Sequence, residues 1–173
     1  GFALAAGDLD GDGDDELVVG APAEDKVSNS SPYGAAHVYE GDPTGLSWTS
    51  DTKLTTSETG WINRAEQFGS WLSIGDGNGD GVNDLAVAHG RNTFFITYDG
   101  SATGVDAGTE NRVDVAGTNS AYSAGTEPYF KALQFAGDMD GDGAEELFVS
   151  VMGASGYLEL HGSLYSGGPS GIT

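Results

Sequence analysis

Apolar residues in this chain come in short runs that stop at glycine, proline or aspartate, the pattern of strands joined by tight turns. Leu17-Val18-Val19, Leu85-Ala86-Val87 and Leu147-Phe148-Val149 are three such runs, and residues 35–39 and 93–98 supply two more. No stretch keeps the 3.6-residue period of an amphipathic helix, which excludes a coiled coil, a helical solenoid and a doubly wound sheet. No run of about 18 apolar residues occurs, so no membrane-inserted helix is expected. The pattern predicts an all-β fold.

The runs belong to a repeat. Gly7-Asp8-Leu9-Asp10-Gly11-Asp12-Gly13 returns as Gly75-Asp76-Gly77-Asn78-Gly79-Asp80-Gly81 and as Gly137-Asp138-Met139-Asp140-Gly141-Asp142-Gly143, the leading aspartates standing 68 and then 62 residues apart. Phe68-Gly69 precedes the second loop at the offset where Phe130-Lys131 precedes the third and Gly1 the first. A block of the form Tyr-x-Gly recurs further on at Tyr39, Tyr98 and Tyr165, with Leu54 and Val113 each 15 residues after the first two tyrosines. The spacing from leading Asp to Tyr varies (31, 22 and 27 residues) while the flanking blocks hold register, as when loops join fixed elements. Each unit predicts strand, acidic turn, strand, variable loop, strand, Gly/Pro turn, strand.

Four antiparallel strands repeated at this period describe β-propeller blades. The units are assigned to residues 1–57, 58–117 and 118–173. The first begins inside its motif and the third stops before a fourth strand. Three incomplete blades do not close an ordinary propeller, so the expectation is a piece of a larger one, or an assembly of chains through open blade edges.

The acidic turns carry the chemistry. Asp8, Asp10 and Asp12 alternate with other residues, so their side chains can converge as the chain curls, and Glu16 stands at the ninth position to close the shell. The second loop offers Asp76, Asn78, Asp80 and Asp84; the third offers Asp138, Asp140, Asp142 and Glu146. Position seven (Asp14, Val82, Ala144) varies freely, as expected of a residue lending only its carbonyl. Gly13 follows the third aspartate, where the backbone turns with positive φ. Carboxylates this close repel one another unless a cation joins them. A hard ion that takes six to eight oxygens resolves the repulsion, and Ca2+ fits better than Mg2+. Three calcium sites are expected. An EF-hand would need Glu at position twelve and flanking helices; position twelve is Val19, Val87 and Val149, each in an apolar run.

Charge agrees. The formal net charge is −21, from 27 acids against 6 bases, which repels nucleic acid and anionic membrane surfaces and leaves cations as natural partners. Without cysteine there are no disulfides, and bound metal is one way to hold a secreted domain together. Asn29-Ser30-Ser31 has the form of a glycosylation sequon, but such triplets arise often by chance and a plain polar loop is the expected reading. His37, His89 and His161 fall at non-equivalent places, against a shared histidine site. Trp48, Trp61 and Trp71 are expected to pack between blades rather than to floor a sugar-binding surface. No nucleophile elbow and no His-Glu-x-x-His motif occurs, and the paired acids are better explained as ligands than as a glycosidase pair, so no catalytic residue is assigned.

Phe-Gly, Gly7-Asp8-Leu9-Asp10-Gly11-Asp12-Gly13 and Gly20-Ala21-Pro22 together resemble the FG-GAP repeat of integrin α-subunit propellers and their bacterial relatives. The resemblance covers essentially the whole chain. It implies a propeller that is usually seven-bladed, with calcium in the hairpin between a blade's first two strands. Departures are Glu16 and Glu146 for a final Asp, Lys131 for the Gly of Phe-Gly, and Ala88-His89-Gly90 and Ser150-Val151-Met152 for Gly-Ala-Pro. The absence of Cys suggests a microbial extracellular member. The functional expectation is a calcium-binding extracellular or cell-surface module for adhesion, surface structure or protein interaction, without enzymatic activity. A protein or glycan ligand would meet its variable loops. The alternatives are a propeller segment of a secreted polysaccharide- or lipid-active enzyme, or a subunit of a self-assembling surface filament.

Overall fold

The computed structural model describes residues 2–24, 34–48, 51–55, 67–90, 94–115, 129–152 and 160–173. Its strands form three antiparallel sheets. The first contains β1 (Leu4–Gly7), β2 (Glu16–Ala21), β3 (Ala35–Tyr39) and β4 (Asp51–Leu54), in that order across the sheet. The second contains β5 (Trp71–Gly75), β6 (Asp84–Ala88), β7 (Phe94–Tyr98) and β8 (Asn111–Asp114), again in chain order. The third contains β9 (Tyr129–Phe135), β10 (Leu147–Met152) and β11 (Leu160–Tyr165), with β10 in the middle. One turn of 3₁₀ helix, Ala107–Thr109, is the one helical element among the described residues, and no described helix is long and apolar enough to cross a membrane.

Each sheet is a simple meander, and its first strand faces that of its neighbour: β5 lies against both β1 and β9. These are propeller blades, each acidic turn joining the first two strands of its sheet.

Burial explains the two kinds of apolar run. The second sheet has a neighbour on each face, and every residue of β6 and β7 is buried. One face joins Val18, Val38 and Leu54 of the first sheet in a cluster with Leu85, Val87 and Ile96; the other joins Leu133, Leu147 and Val149 of the third in a cluster with Ala86, Ala88 and Phe95. The first sheet is covered on one face only, so β2 alternates buried and half-buried positions, the period-two signature of a half-covered strand. Leu4 at 67 % exposure, and the cross-strand pair Phe148 and Leu164 at 40 % and 53 %, mark the uncovered faces of the first and third sheets.

Two departures from the repeat fall on one junction. Phe68-Gly69 docks on the preceding sheet: a Cβ on Gly20 would collide with the Gly69 carbonyl, and Gly34 forms a parallel bridge to Phe68. Between the second and third sheets, Ala88 stands where Gly20 did and Lys131 where Gly69 did, so that close backbone approach is lost on both sides at once. There β9 runs extended from Tyr129, and its pairing with β10 shifts register between Ser150 and Val151, leaving Lys131 outside the ladder. A β-bulge replaces the left-handed glycine.

Trp71 packs on the cluster between the second and third sheets, whereas Trp48 is 69 % exposed beside Tyr39, their ring centroids 5.3 Å apart. The expectation of inter-blade packing is corrected for Trp48, which sits in a turn after β3 rather than on a strand face. Trp61 and Asn29-Ser30-Ser31 lie outside the described residues, as does the side chain of His161.

Candidate metal centres

The three acidic turns share one hydrogen-bonding scheme. Position one is the hub. The Asp8 carboxylate accepts the N–H of Gly11 (2.6 Å) and of Gly13 (3.0 Å). Asp76 accepts from Gly79 (2.7 Å), Asp80 (3.1 Å) and Gly81 (2.9 Å), and Asp138 from Gly141 (2.7 Å), Asp142 (3.2 Å) and Gly143 (3.0 Å). Positions three and five each accept the N–H two residues on: Asp10 from Asp12 and Asp12 from Asp14, Asn78 from Asp80 and Asp80 from Val82, Asp140 from Asp142 and Asp142 from Ala144, all at 2.9–3.1 Å. These are Asx turns, which curl the chain and aim its side-chain oxygens inward. Curling this tightly needs left-handed backbone at positions four and six, and the glycines there have φ between +75° and +98°. The requirement at position six was expected for Gly13; the one at position four was not.

The ninth position does more than close the turn. Glu16 is 1 % exposed; its Oε2 accepts the Leu9 N–H at 2.7 Å and its Oε1 the Gly41 N–H at 3.2 Å. Asp84 is 3 % exposed and ties Gly77 and Asn78 (both 3.1 Å) through Oδ2 and Gly100 (3.0 Å) through Oδ1. Glu146 is 3 % exposed, and its Oε2 accepts the Met139 N–H at 2.6 Å. Glu16 and Asp84 thereby strut the turn against the Tyr-x-Gly block of the same sheet. Gly41 and Gly100 were visible as repeated residues, but their role was not: each lends its N–H to the strut, and a Cβ on either would collide with the carbonyl of position eight (Asp15, Asn83). Gly167 occupies the equivalent place beside the Glu145 carbonyl, at 2.5 Å from its would-be Cβ.

The structure gathers carboxylate oxygens of Asp8, Asp10 and Glu16 within 4.8 Å of one another, and likewise those of Asp138, Asp140 and Glu146. In the second turn the equivalent trio is Asp76, Asn78 and Asp84, with an amide in place of one acid. Asp12 and Asp142, at position five, stand outside the two gathered trios. Position seven differs from the sequence-based expectation of indifference. The Val82 and Ala144 side chains pack on the preceding turn, close to where a Cβ on Gly11 or Gly79 would lie, and Ala144 is 2 % exposed.

Electrostatics points to a cation. Burial, with Asp99, Asp80 and Asp76 nearby, raises the Asp84 carboxyl to about 7 against the opposing Gly100 hydrogen bond. Burial also raises Glu16, Glu40, Asp99 and Glu145, each with neighbouring acids adding to the shift. Glu40 (facing Asp10 and Asp12) and Asp99 (facing Asp80) are acids around the turns that motif reading missed, because they belong to the Tyr-x-Gly block. The decisive atom is Glu146 Oε1, which is buried without a hydrogen-bond partner among the described residues. An unsatisfied buried carboxylate oxygen is costly, and a hard cation at the adjacent oxygens would satisfy it. The donor set of carboxylate, amide and carbonyl oxygens fits Ca2+.

Comparison with known proteins agrees with this geometry. Residues 1–39, which contain β1, the first acidic turn, β2 and β3, match the FG-GAP repeat. The chain is 32 % identical over 158 residues to integrin alpha-PS5 of Drosophila melanogaster, covering 89 % of this chain and 15 % of that protein. Residues 1–39 of this chain are an FG-GAP repeat. Integrin alpha-5 of Xenopus laevis is 30 % identical over 175 residues (94 % of this chain, 15 % of that protein). Phosphatidylinositol-glycan-specific phospholipase D of Rattus norvegicus is 30 % identical over 160 residues (90 % and 19 %). The chain therefore spans less than a fifth of each of these relatives. The motif's two named parts meet between successive units: Phe68-Gly69 of the second sheet packs its backbone on Gly20 and Ala21 of the sheet before it.

Proposed function

We propose that this chain is a calcium-stabilised extracellular propeller module that serves adhesion, surface structure or protein interaction. The observation that carries the calcium reading is Glu146 Oε1, buried and unpartnered beside Asp138 and Asp140 in a turn built like two others. At each site the chain supplies oxygens from positions one, three, five and nine, with the carbonyl of Asp14, Val82 or Ala144 at position seven. The bound ion supplies positive charge that offsets the crowded acids and couples turn folding to external calcium.

Adhesive function is supported by the integrin relatives, and an extracellular location by the same likeness. The uncovered faces around Leu4 and around Phe148 and Leu164 are where further blades would pack in a seven-bladed ring. Thermal unfolding with calcium and with chelator tests the proposal. Chelator is expected to lower Tm substantially, and Asp10→Ala with Asp12→Ala to reproduce the loss of one site. An unchanged Tm in chelator would count against calcium stabilisation.

The likeness to a phospholipase D favours a second reading, a propeller segment of a secreted lipid-active enzyme whose catalytic residues lie outside this stretch. Lipid hydrolysis by the full-length protein, absent from the isolated segment, would decide for it.

A further inference from the structure

Successive acidic turns are joined by a repeated pair of backbone hydrogen bonds. Asn83 donates its N–H to the Asp8 carbonyl at 3.3 Å, and Ser101 donates to the Leu9 carbonyl at 3.2 Å. One unit on, Glu145 donates to the Asp76 carbonyl at 2.7 Å and Gly168 to the Gly77 carbonyl at 2.9 Å. The acceptors are positions one and two of a turn; the donors are position eight of the next turn and the residue after its Tyr-x-Gly glycine. Packing closes the same junctions: a Cβ on Gly11 would lie 3.4 Å from Val82 Cγ2, and one on Gly79 3.4 Å from Ala144 Cβ and 3.1 Å from the Gly143 carbonyl.

Each junction therefore links one proposed ligand to another through few bonds. Asp8 and Asp76 each offer a side chain to their own site and a carbonyl to the next turn. The donors Asn83 and Glu145 are the immediate neighbours of Asp84 and Glu146. Ser101 follows Gly100, whose N–H holds the Asp84 carboxylate at 3.0 Å. Shifting position one in one turn shifts position nine in the next.

We infer that the three turns bind calcium as a coupled row, occupancy of one raising the affinity of its neighbour. The inference rests on the calcium reading above. Mutual repulsion of the acids loosens an ion-free turn, and an occupied turn presents fixed carbonyls to the next one, which then has less ordering left to do. Direct repulsion between neighbouring ions opposes this coupling, but at these solvent-exposed turns water and counterions screen it, whereas the backbone hydrogen bonds act by contact. The shorter bonds at the second junction make coupling between turns two and three stronger than between one and two.

Calcium titration of the isotope-labelled chain by NMR tests this, using the amides of Gly13, Gly81 and Gly143, each bonded to a position-one carboxylate, as separate reporters. In a variant with Asp76→Asn and Asp80→Asn, which keeps one side-chain acceptor at each position but loses the Asp76 Oδ2 acceptor of the Gly81 N–H, the Gly13 and Gly143 midpoints are expected to rise more than twofold, Gly143 the further. If that variant does not fold, Asp80→Asn alone is expected to act in the same direction, again by more than twofold. Midpoints within twofold of the unsubstituted chain would overturn the coupling while leaving calcium binding intact. Absence of any calcium-dependent shift in the unsubstituted chain would overturn both.

Discussion

Gly100 donates its N–H to Asp84 Oδ1 at 3.0 Å from a position where a side chain would run into the Asn83 carbonyl and come within 2.9 Å of the Leu9 carbonyl. One glycine thus serves the strut of its own turn and the junction with the turn before. Gly100→Ala forces the backbone to retreat at both contacts, an overpacking that costs about 1–3 kcal/mol. Denaturant unfolding should show that loss. Unaltered stability would mean the Tyr-x-Gly block does not brace the turn.

Asp84 also sets a pH dependence in calcium-free protein. Its carboxyl releases a proton near 3.8 when the chain is unfolded and at about 7 when folded, chiefly because of burial. Between those values the unfolded state binds fewer protons, so this group makes stability fall as pH rises. In chelator, Tm should carry a downward component between about pH 4 and 7 that Asp84→Asn removes. Calorimetry of both proteins over that range checks it, and identical slopes would contradict the assignment.

Tyr98 lies 1 % exposed with its hydroxyl lacking a hydrogen-bond partner among the described residues, and burial raises its ionisation well above the ordinary tyrosine value. Removing an unsatisfied hydroxyl while keeping the ring relieves a desolvation cost, so Tyr98→Phe should be neutral or stabilising by up to about 1 kcal/mol. A clear drop in Tm would show that the hydroxyl is bonded in solution.

The three acidic turns and their strands were legible in the sequence because both depend on local spacing: alternating acids curl a turn, and apolar runs closed by glycine make short strands. What was not legible depends on approaches between distant segments. Gly41, Gly100 and Gly167 recur visibly, yet only the sheet shows them meeting the carbonyls of Asp15, Asn83 and Glu145. Position seven looked indifferent because Asp14, Val82 and Ala144 share no chemistry, but the latter two side chains face a preceding turn. The losses of Gly20 and Gly69, at Ala88 and Lys131, looked like separate defects until their shared junction and its bulge were in view. Trp48 misled because aromatic burial is a tendency of the residue type, and the turn that carries this one faces outward.

A crystal structure of the chain grown with ample calcium tests the metal assignment most directly. It should show an ion among the oxygens of Asp8, Asp10 and Glu16, another among Asp76, Asn78 and Asp84, and a third that meets Glu146 Oε1 beside Asp138 and Asp140. Turns that stay free of metal density in that crystal would contradict it.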